Sequence, residues 1–437
     1  MISTNNFLYN FFKNLQNENI RYSVLRNYEG LPNSLNGSDL DILVSKNDVS
    51  KFYDLLNQTL ELNNGKIIVQ YGKLTPRVCI AGVIENNYYG VQFDVHEGIL
   101  PYKVFDMFPV EFVLDRSKLH NGILVANDDD ADILSFLKEI LNNQTCKEKY
   151  FLAAKKSWQK DNIYKIELKK MYTKEFIKQF DLVMNNTYDE VKIKELSILG
   201  SKYLTNGINK KVKILKSKLE RMYRFFKTPG FIVAVMGTDG AGKTTIIDKI
   251  TEPLKEAVHN ALFYEHMRPN LIPNIAQLFG KKKQEGPVVD PHSSKPSGIF
   301  GSLVRLFYYS FDYIFGYLLK IYPMTVKKSS IWIFDRYYYD YMIDPKRARI
   351  NLPQWTINTM GYFIPKPDLV LCFGADPKVI FDRKPELLLE EITEQVNKLK
   401  EFCDKNDKAI WIDTGKSIDD SVKEAFTTIL EKMNERY

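Results

Sequence analysis

The chain is short of cysteine. Its 437 residues hold four, Cys79, Cys146, Cys372 and Cys403, far apart and in no C-x-x-C pair. That excludes a disulfide framework, makes a zinc site unexpected and fits a reducing compartment. Internal repeats and low-complexity stretches are also missing. The opening residues Met1-Ile2-Ser3-Thr4-Asn5-Asn6 show no charged stretch followed by an apolar core, so no secretory signal is expected. Long charge-free apolar runs are lacking as well. The most apolar segment, Ile299 to Pro323, is interrupted by Arg305, Asp312 and Lys320, which lipid would tolerate poorly. It is expected to be a buried or partly buried helix, and the chain to be cytoplasmic. The content is 44% hydrophobic and 26% charged, enough for two or three domains to bury their own cores without staples.

Net charge is a mild +7, but it is concentrated. Between Ile208 and Lys227 stand Lys210, Lys211, Lys213, Lys216, Lys218, Arg221, Arg224 and Lys227 against one acid, Glu220. Ile208, Val212, Leu215, Leu219, Met222 and Phe226 recur at spacings of three and four, which predicts a basic amphipathic helix. Two readings stay open. The helix is a connector packing its stripe on a domain, or it makes peripheral contact with an anionic membrane, at its inner face. Nucleic acid is not expected, because no aromatic-basic alternation or known binding module accompanies the helix.

Periodicity predicts helices over 5–18 and 48–60 and strands over 22–25, 39–44, 66–71, 77–84 and 89–96. From Asp128 to Phe226 the pattern is almost wholly helical. Thr228-Pro229-Gly230 breaks it, and strand then alternates with helix, as in a parallel α/β sheet. The expected domains are 1–127, 128–227 and 228–437. The expected class is α/β: an α+β N-terminal domain with a helical extension, then a parallel α/β domain.

The strongest motif is Gly237-Thr238-Asp239-Gly240-Ala241-Gly242-Lys243-Thr244. It follows the apolar run Phe231 to Met236 and precedes a helical start at Thr245. This is a complete G-x-x-x-x-G-K-T loop between strand and helix. Its glycines let backbone N–H groups wrap a phosphate, Lys243 can reach the β- and γ-phosphates, and the Thr244 hydroxyl can ligate Mg²⁺. Gly237, Thr238, Gly240, Ala241, Gly242, Lys243, Thr244 and Thr245 are therefore the candidate ATP-binding residues. Ser330 to Phe334 is an apolar strand ending in Asp335-Arg336. A strand-end carboxylate suits Mg²⁺ or its water, and the arginine suits an acceptor or transferred phosphate. Arg383, in a basic turn after the helical Asp376 to Asp382, suits a lid over the phosphates.

These pieces resemble the thymidylate kinase family. The matching residues are Asp239-Gly240-Ala241-Gly242-Lys243-Thr244-Thr245, Asp335-Arg336-Tyr337, and Pro367-Asp368-Leu369-Val370 with Arg383-Lys384, within about the last 210 residues. The resemblance implies a P-loop kinase fold in which Lys243 and Arg383 stabilise the transferred phosphoryl group. Asp335 would act on metal or acceptor, Arg336 would hold the acceptor, and Asp239 would sit beside its reactive end. Dimers are common among such kinases, so a homodimer is an expectation. The stretch Tyr337 to Arg347 replaces the family's Ser-x-Ala-Tyr-Gln and leads away from dTMP. His266-Met267-Arg268-Pro269 and Asp290-Pro291-His292 fall where an acceptor site belongs. There the chain resembles thymidylate-kinase-like proteins of bacterial surface-polysaccharide gene clusters, which implies a sugar, glycan or lipid-linked glycan acceptor. His266, Arg268, His292, Asp344 and Arg347 are the substrate candidates.

A second motif is Asn36-Gly37-Ser38-Asp39-Leu40-Asp41, followed later by Val91-Gln92-Phe93-Asp94. Asp39 and Asp41, two apart on a predicted strand, share a face, and Asp94 would complete a carboxylate set for Mg²⁺. This resembles the nucleotidyltransferase superfamily that includes polymerase β and the small antibiotic-modifying enzymes, over residues 20–100. The family's upstream Gly-Ser is replaced by Leu25-Arg26-Asn27-Tyr28, where Arg26 is expected to grip phosphate by charge. The leading expectation is an ATP- and Mg²⁺-dependent kinase for a sugar or glycan, with a nucleotidyltransferase-like domain working on the same substrate. The alternatives are a nucleoside monophosphate kinase and a nucleotide-binding regulatory or scaffold protein whose first domain is degenerate.

Overall fold

The computed structural model describes residues 2–273 and 297–437. The chain divides into two compact units. One holds Met1–Lys66, Gln70–Ile80 and Val91–Lys227, the other Ile67–Val69, Ala81–Gly90 and Thr228–Tyr437.

The N-terminal half is organised on a seven-stranded sheet of order β3-β4-β5-β2-β1-β9-β8. Its strands are β1 (Tyr22–Val24), β2 (Leu40–Val44), β3 (Gly65–Tyr71), β4 (Arg77–Ile84), β5 (Asn87–Glu97), β8 (Lys118–His120) and β9 (Ile123–Val125). A separate two-stranded ribbon is made by β6 (Pro101–Tyr102) and β7 (Phe105–Asp106). Helix α1 (Ile2–Asn17) buries Phe7, Leu8, Phe11, Phe12 and Leu15, the face its spacing predicts. Helix α2 (Val49–Leu62) follows β2, and α3 (Val110–Asp115) precedes β8. β2 runs parallel to β5, with Asp41 opposite Asp94. β2 begins at Leu40, so Asp39 stands in the turn before the strand and not on it. The turn is tightened by Gly37 in the left-handed region (φ 74°) and by Ser38 N–H donating to Leu35 O.

Five helices follow: α4 (Asp128–Asn143), α5 (Glu148–Lys160), α6 (Ile163–Met171), α7 (Lys174–Asn185) and α8 (Glu190–Thr205). They pack on one core that includes Phe136, Phe151, Trp158, Phe176 and Phe180. Asn127 caps α4 and Thr173 caps α7 through side-chain oxygens that accept N–H bonds, satisfying donors the helix starts leave open. Helix α9 (Ile208–Met222) buries none of its residues. The connector reading, in which its apolar stripe packs on a domain, therefore fails.

The second unit carries a five-stranded sheet of order β11-β12-β10-β13-β14, parallel throughout. The strands are β10 (Phe231–Gly237), β11 (Leu262–His266), β12 (Ile331–Asp335), β13 (Leu369–Gly374) and β14 (Ala409–Asp413). β10 is buried along its whole length. The chain builds outward from it in both directions, so the carboxyl end of β10 is the topological switch point where such sheets open a crevice. Around the sheet lie α10 (Lys243–Ala257), α11 (Ile299–Gly316), α12 (Tyr322–Lys328), α13 (Tyr339–Ile343), α14 (Gln354–Gly361), α15 (Pro377–Arg383), α16 (Leu389–Asp404) and α17 (Ile418–Asn434). The apolar segment at 299–323 is helical, with Ser302, Leu306, Ser310, Asp312 and Tyr313 on its buried face. Among the described residues no helix is long and apolar enough to cross a membrane.

Candidate active site

Strand β10 runs straight into the glycine loop, and α10 begins at Lys243. Gly242 caps that helix in the left-handed conformation (φ 79°), which a side chain would strain. Its chain neighbours aside, no atom of the described residues lies within 4 Å of where its Cβ would stand, so the space above the helix N-terminus is open. Gly240 is different. A Cβ there would stand 3.0 Å from Ile380 O and 3.1 Å from Lys384 Cβ. The end of α15 thus abuts the loop, with Arg383 exposed at its last position.

Lys243 is 7% exposed. Its Nζ donates to Gly237 O (2.9 Å) and Thr238 O (2.8 Å) and lies 3.8 Å from Asp239 Oδ1. Burial pulls the ammonium down to about 7; Arg336 adds to that, and Asp239 and Asp335 oppose it. Thr244 and Thr245 are exposed at the helix start. The Thr238 Oγ1 is buried and has no hydrogen-bond partner among the described residues.

Asp335 closes β12 beside Val235 of β10 and His266 of β11. Its Oδ2 accepts from the Tyr264 hydroxyl at 3.2 Å. Its Oδ1 is buried without a hydrogen-bond partner among the described residues. His266 is exposed at its edge. Desolvation lowers its imidazole below the usual value, Asp335 resists, and Arg336 pushes it further down. Arg336 itself has φ 73°, a costly conformation for a non-glycine residue and one that gathers at functional sites. That turn directs its side chain back to the loop.

There a charge cluster forms. Arg336 Nη2 meets Asp239 Oδ1 at 2.6 Å, and Nη1 meets Asp340 Oδ1 at 2.7 Å. Arg347 Nη2 meets Asp239 Oδ2, and its Nε lies 3.8 Å from Asp340 and 3.7 Å from Asp344. Asp344 Oδ2 accepts from Gln395 Nε2 at 3.1 Å. Burial pushes the Asp239 carboxyl up, but Arg336, Lys243 and Arg347 outweigh it and hold it well below the usual range. A cavity of about 10 Å³, lined by Thr238, Arg336, Asp340, Asp344 and Gln395 among others, has room for about one water. Asp340 lies in α13, Arg336 stands in the left-handed turn before that helix, and Asp344 caps its C-terminal end. The tyrosines between them are core: Tyr337 and Tyr338 are buried, with hydroxyls donating to Pro365 O and Ile357 O. Asp340, Tyr264 and Gln395 were not read from the sequence as site residues. Only Asp340 left a signal, its i+4 spacing from Arg336.

Two expected substrate residues do not join this cluster. Arg268 is buried, and its Nη1 pairs with Asp312 Oδ2 at 2.8 Å. Asp312 also accepts the N–H groups of Asn270, Leu271 and Ile272, so Arg268 braces a loop and does not face an acceptor. His292 lies outside the described residues.

In the first unit the expected metal carboxylates are held by arginines. Arg26 Nε donates to Asp41 Oδ2 and its Nη2 lies 3.6 Å from Asp39 Oδ1. Arg77 takes both oxygens of Asp94, at 3.0 and 3.3 Å. His96 Nε2 lies 3.5 Å from Asp41 Oδ1. Burial raises the Asp41 carboxyl, but His96 and Arg26 bring it down to about 2. Arg26 therefore neutralises the acids instead of offering itself to a phosphate. Among the described residues no group of three or more His, Cys, Asp or Glu is arranged to hold a metal ion. In the second unit, the orphaned Asp335 Oδ1 and the exposed Thr244 hydroxyl do fit Mg²⁺. That ion takes one or two protein oxygens and otherwise phosphate and water.

No family model and no curated protein matches the chain. Among solved structures, a thymidylate kinase from Ehrlichia chaffeensis is similar over 46% of this chain and 100% of its own, at 16% identity and a TM-score of 0.32. A thymidylate kinase from Candida albicans is similar over 48% of this chain and 94% of its own, at 18% identity and a TM-score of 0.33. Each match spans about half of this chain and nearly all of the other.

Proposed function

We propose that the second unit transfers the γ-phosphoryl group of ATP to a hydroxyl of a sugar or glycan, in the building of a surface polysaccharide. The observation that carries this reading is the convergence of the G-x-x-x-x-G-K-T loop, Asp335 and His266 at the carboxyl ends of three neighbouring parallel strands. The open cradle above Gly242 takes the phosphates, and Lys243 leaves its loop carbonyls to pair with them. When bound, Mg²⁺ neutralises charge on the β- and γ-phosphates; Asp335 and Thr244 are the residues to hold it. Asp239, fixed by two arginines and weakly basic, accepts a hydrogen bond from the acceptor and orients it. His266, neutral at pH 7, takes the acceptor proton. The acceptor oxygen then forms its bond to phosphorus as the bond to the β-γ bridging oxygen breaks, and ADP leaves.

A base beside the loop supports a hydroxyl acceptor, because a phosphate oxygen needs none. The arginines point the same way. Both are already matched by carboxylates, the half-buried Asp239 and the buried Asp340, which leaves little free positive charge for a nucleoside monophosphate. The test is turnover of Mg-ATP with panels of sugars, glycans and nucleoside monophosphates. Phosphorylation confined to the monophosphates would sink the reading.

For the first unit, nucleotidyl transfer onto the same substrate remains the functional reading. The arginines on Asp39, Asp41 and Asp94 favour a second one, a binding module that has lost catalysis. Asp39→Ala with Asp41→Ala separates them: lost product supports transfer, and unchanged product with altered substrate affinity supports binding.

A further inference from the structure

Helix α9 is attached to its unit the wrong way round for a core helix. An amphipathic helix ordinarily turns its apolar stripe inward and its charges outward. Here the polar back makes the contacts. Lys210 Nζ donates to Tyr203 O at 2.9 Å, Glu220 pairs with Lys73 at 2.9 Å, and Arg224 lies over the Tyr71 ring at 4.3 Å. On the other side Ile208, Val212, Leu215, Leu219, Met222 and Phe226 are each 57–87% exposed. At 3.6 residues per turn these six form one stripe. Lys211 and Lys218 fall along one border of it and Lys216 along the other.

We infer that this face docks on an anionic lipid bilayer, with the apolar stripe in the acyl-headgroup boundary and the bordering lysines reaching to lipid phosphates. The argument for this occupant is charge. Residues 208–227 hold eight basic side chains and one acid, and that acid is already taken by Lys73. A second copy of the helix would bring like charges together along both borders, which is repulsive. A nucleic acid would satisfy the lysines but leave the apolar stripe bare. A bilayer with anionic headgroups satisfies both, and lysines at the stripe border can bury their stems while the ammonium stays wet. The inference goes beyond the phosphotransfer reading and does not depend on it.

The test is flotation of the full chain with phosphatidylcholine vesicles, with and without phosphatidylserine. The wild type is expected to float only with the anionic vesicles and to be released as salt is raised. Lys211→Gln, Lys216→Gln and Lys218→Gln should each weaken binding about fivefold, roughly a hundredfold together. Leu215→Ser with Leu219→Ser should abolish it. All five side chains are at the surface, so circular dichroism and melting should not change; if the serine variant unfolds, the lysine series carries the test. No flotation of the wild type, or flotation indifferent to both sets of changes, overturns the inference. So does a wild-type dimer that the serine variant converts to monomer without any vesicle binding, which would assign the stripe to a second copy.

Discussion

Lys243 offers a prediction that reads the phosphate site through protons. Without ligand its ammonium is buried against two backbone carbonyls and close to Arg336, and its pKa falls to about 7. At pH 8 about nine-tenths of the molecules therefore hold a neutral Lys243. A bound triphosphate supplies negative charge and returns the ammonium toward its ordinary range. Binding of Mg-ATP must then take up about 0.9 proton at pH 8, about 0.5 at pH 7 and about 0.1 at pH 6 from this group. By the same linkage, affinity should weaken about fiftyfold from pH 7 to pH 9, approaching tenfold per pH unit above pH 8. The assay is titration calorimetry at pH 8 in buffers of different ionisation enthalpy, whose slope counts protons directly. Lys243→Met removes the group and should bring the slope to zero wherever binding is still measurable. Intact binding by the wild type with no proton uptake at pH 8, and a flat affinity from pH 7 to 9, would refute the placement of Lys243.

Three further outcomes follow from other contacts. The Lys243 shift also makes the ligand-free second unit gain stability as pH rises. Its folded value lies below the unfolded one, so the penalty is complete below pH 7 and relieved toward pH 10, worth a few kcal/mol; denaturant midpoints at pH 6.5 and 9 check the sign. Asp312→Ala should cost about 3–5 kcal/mol, because Arg268 loses a buried partner and three N–H groups lose their acceptor; the melting point of the second unit should drop by roughly 10 °C. In the first unit, Asp41 contributes about 2 kcal/mol above pH 4 that disappears as pH falls from 4 through about 2. An Asp41→Asn variant should lack that acid limb in urea unfolding.

The glycine loop was legible because its meaning is local: an apolar strand, a spaced set of glycines and a helix start are contiguous in sequence. So were α1, whose periodicity is long enough to read, and the buried strands β10, β12 and β13, each a continuous apolar run; the edge strands β11 and β14 were not. The residues that complete the site were visible one by one, but their convergence was not. Arg347 reaches Asp239 across 108 positions, and only the path of the chain between them brings the two together. The same kind of pairing reversed two expectations. Arg26 was read as a phosphate grip and turned out to neutralise Asp41, and Arg268 was read as an acceptor contact and turned out to brace Asp312. A lone arginine in sequence says that it wants an anion, not which one. Strands β6 to β9 have two or three residues each, too few for alternation to show. For α9 the stripe was plain, but spacing alone does not tell which side of a helix the protein holds.

The central claim is phosphoryl transfer from ATP to a hydroxyl. ³¹P NMR of the product mixture tests it most directly, with sugars, glycans and nucleoside monophosphates offered together to the wild type and to Lys243→Ala. The account predicts a phosphomonoester resonance on a sugar or glycan, growing as ADP forms and missing with Lys243→Ala. A new phosphoanhydride resonance from a nucleoside diphosphate of the offered monophosphates, with no sugar phosphomonoester, would contradict it.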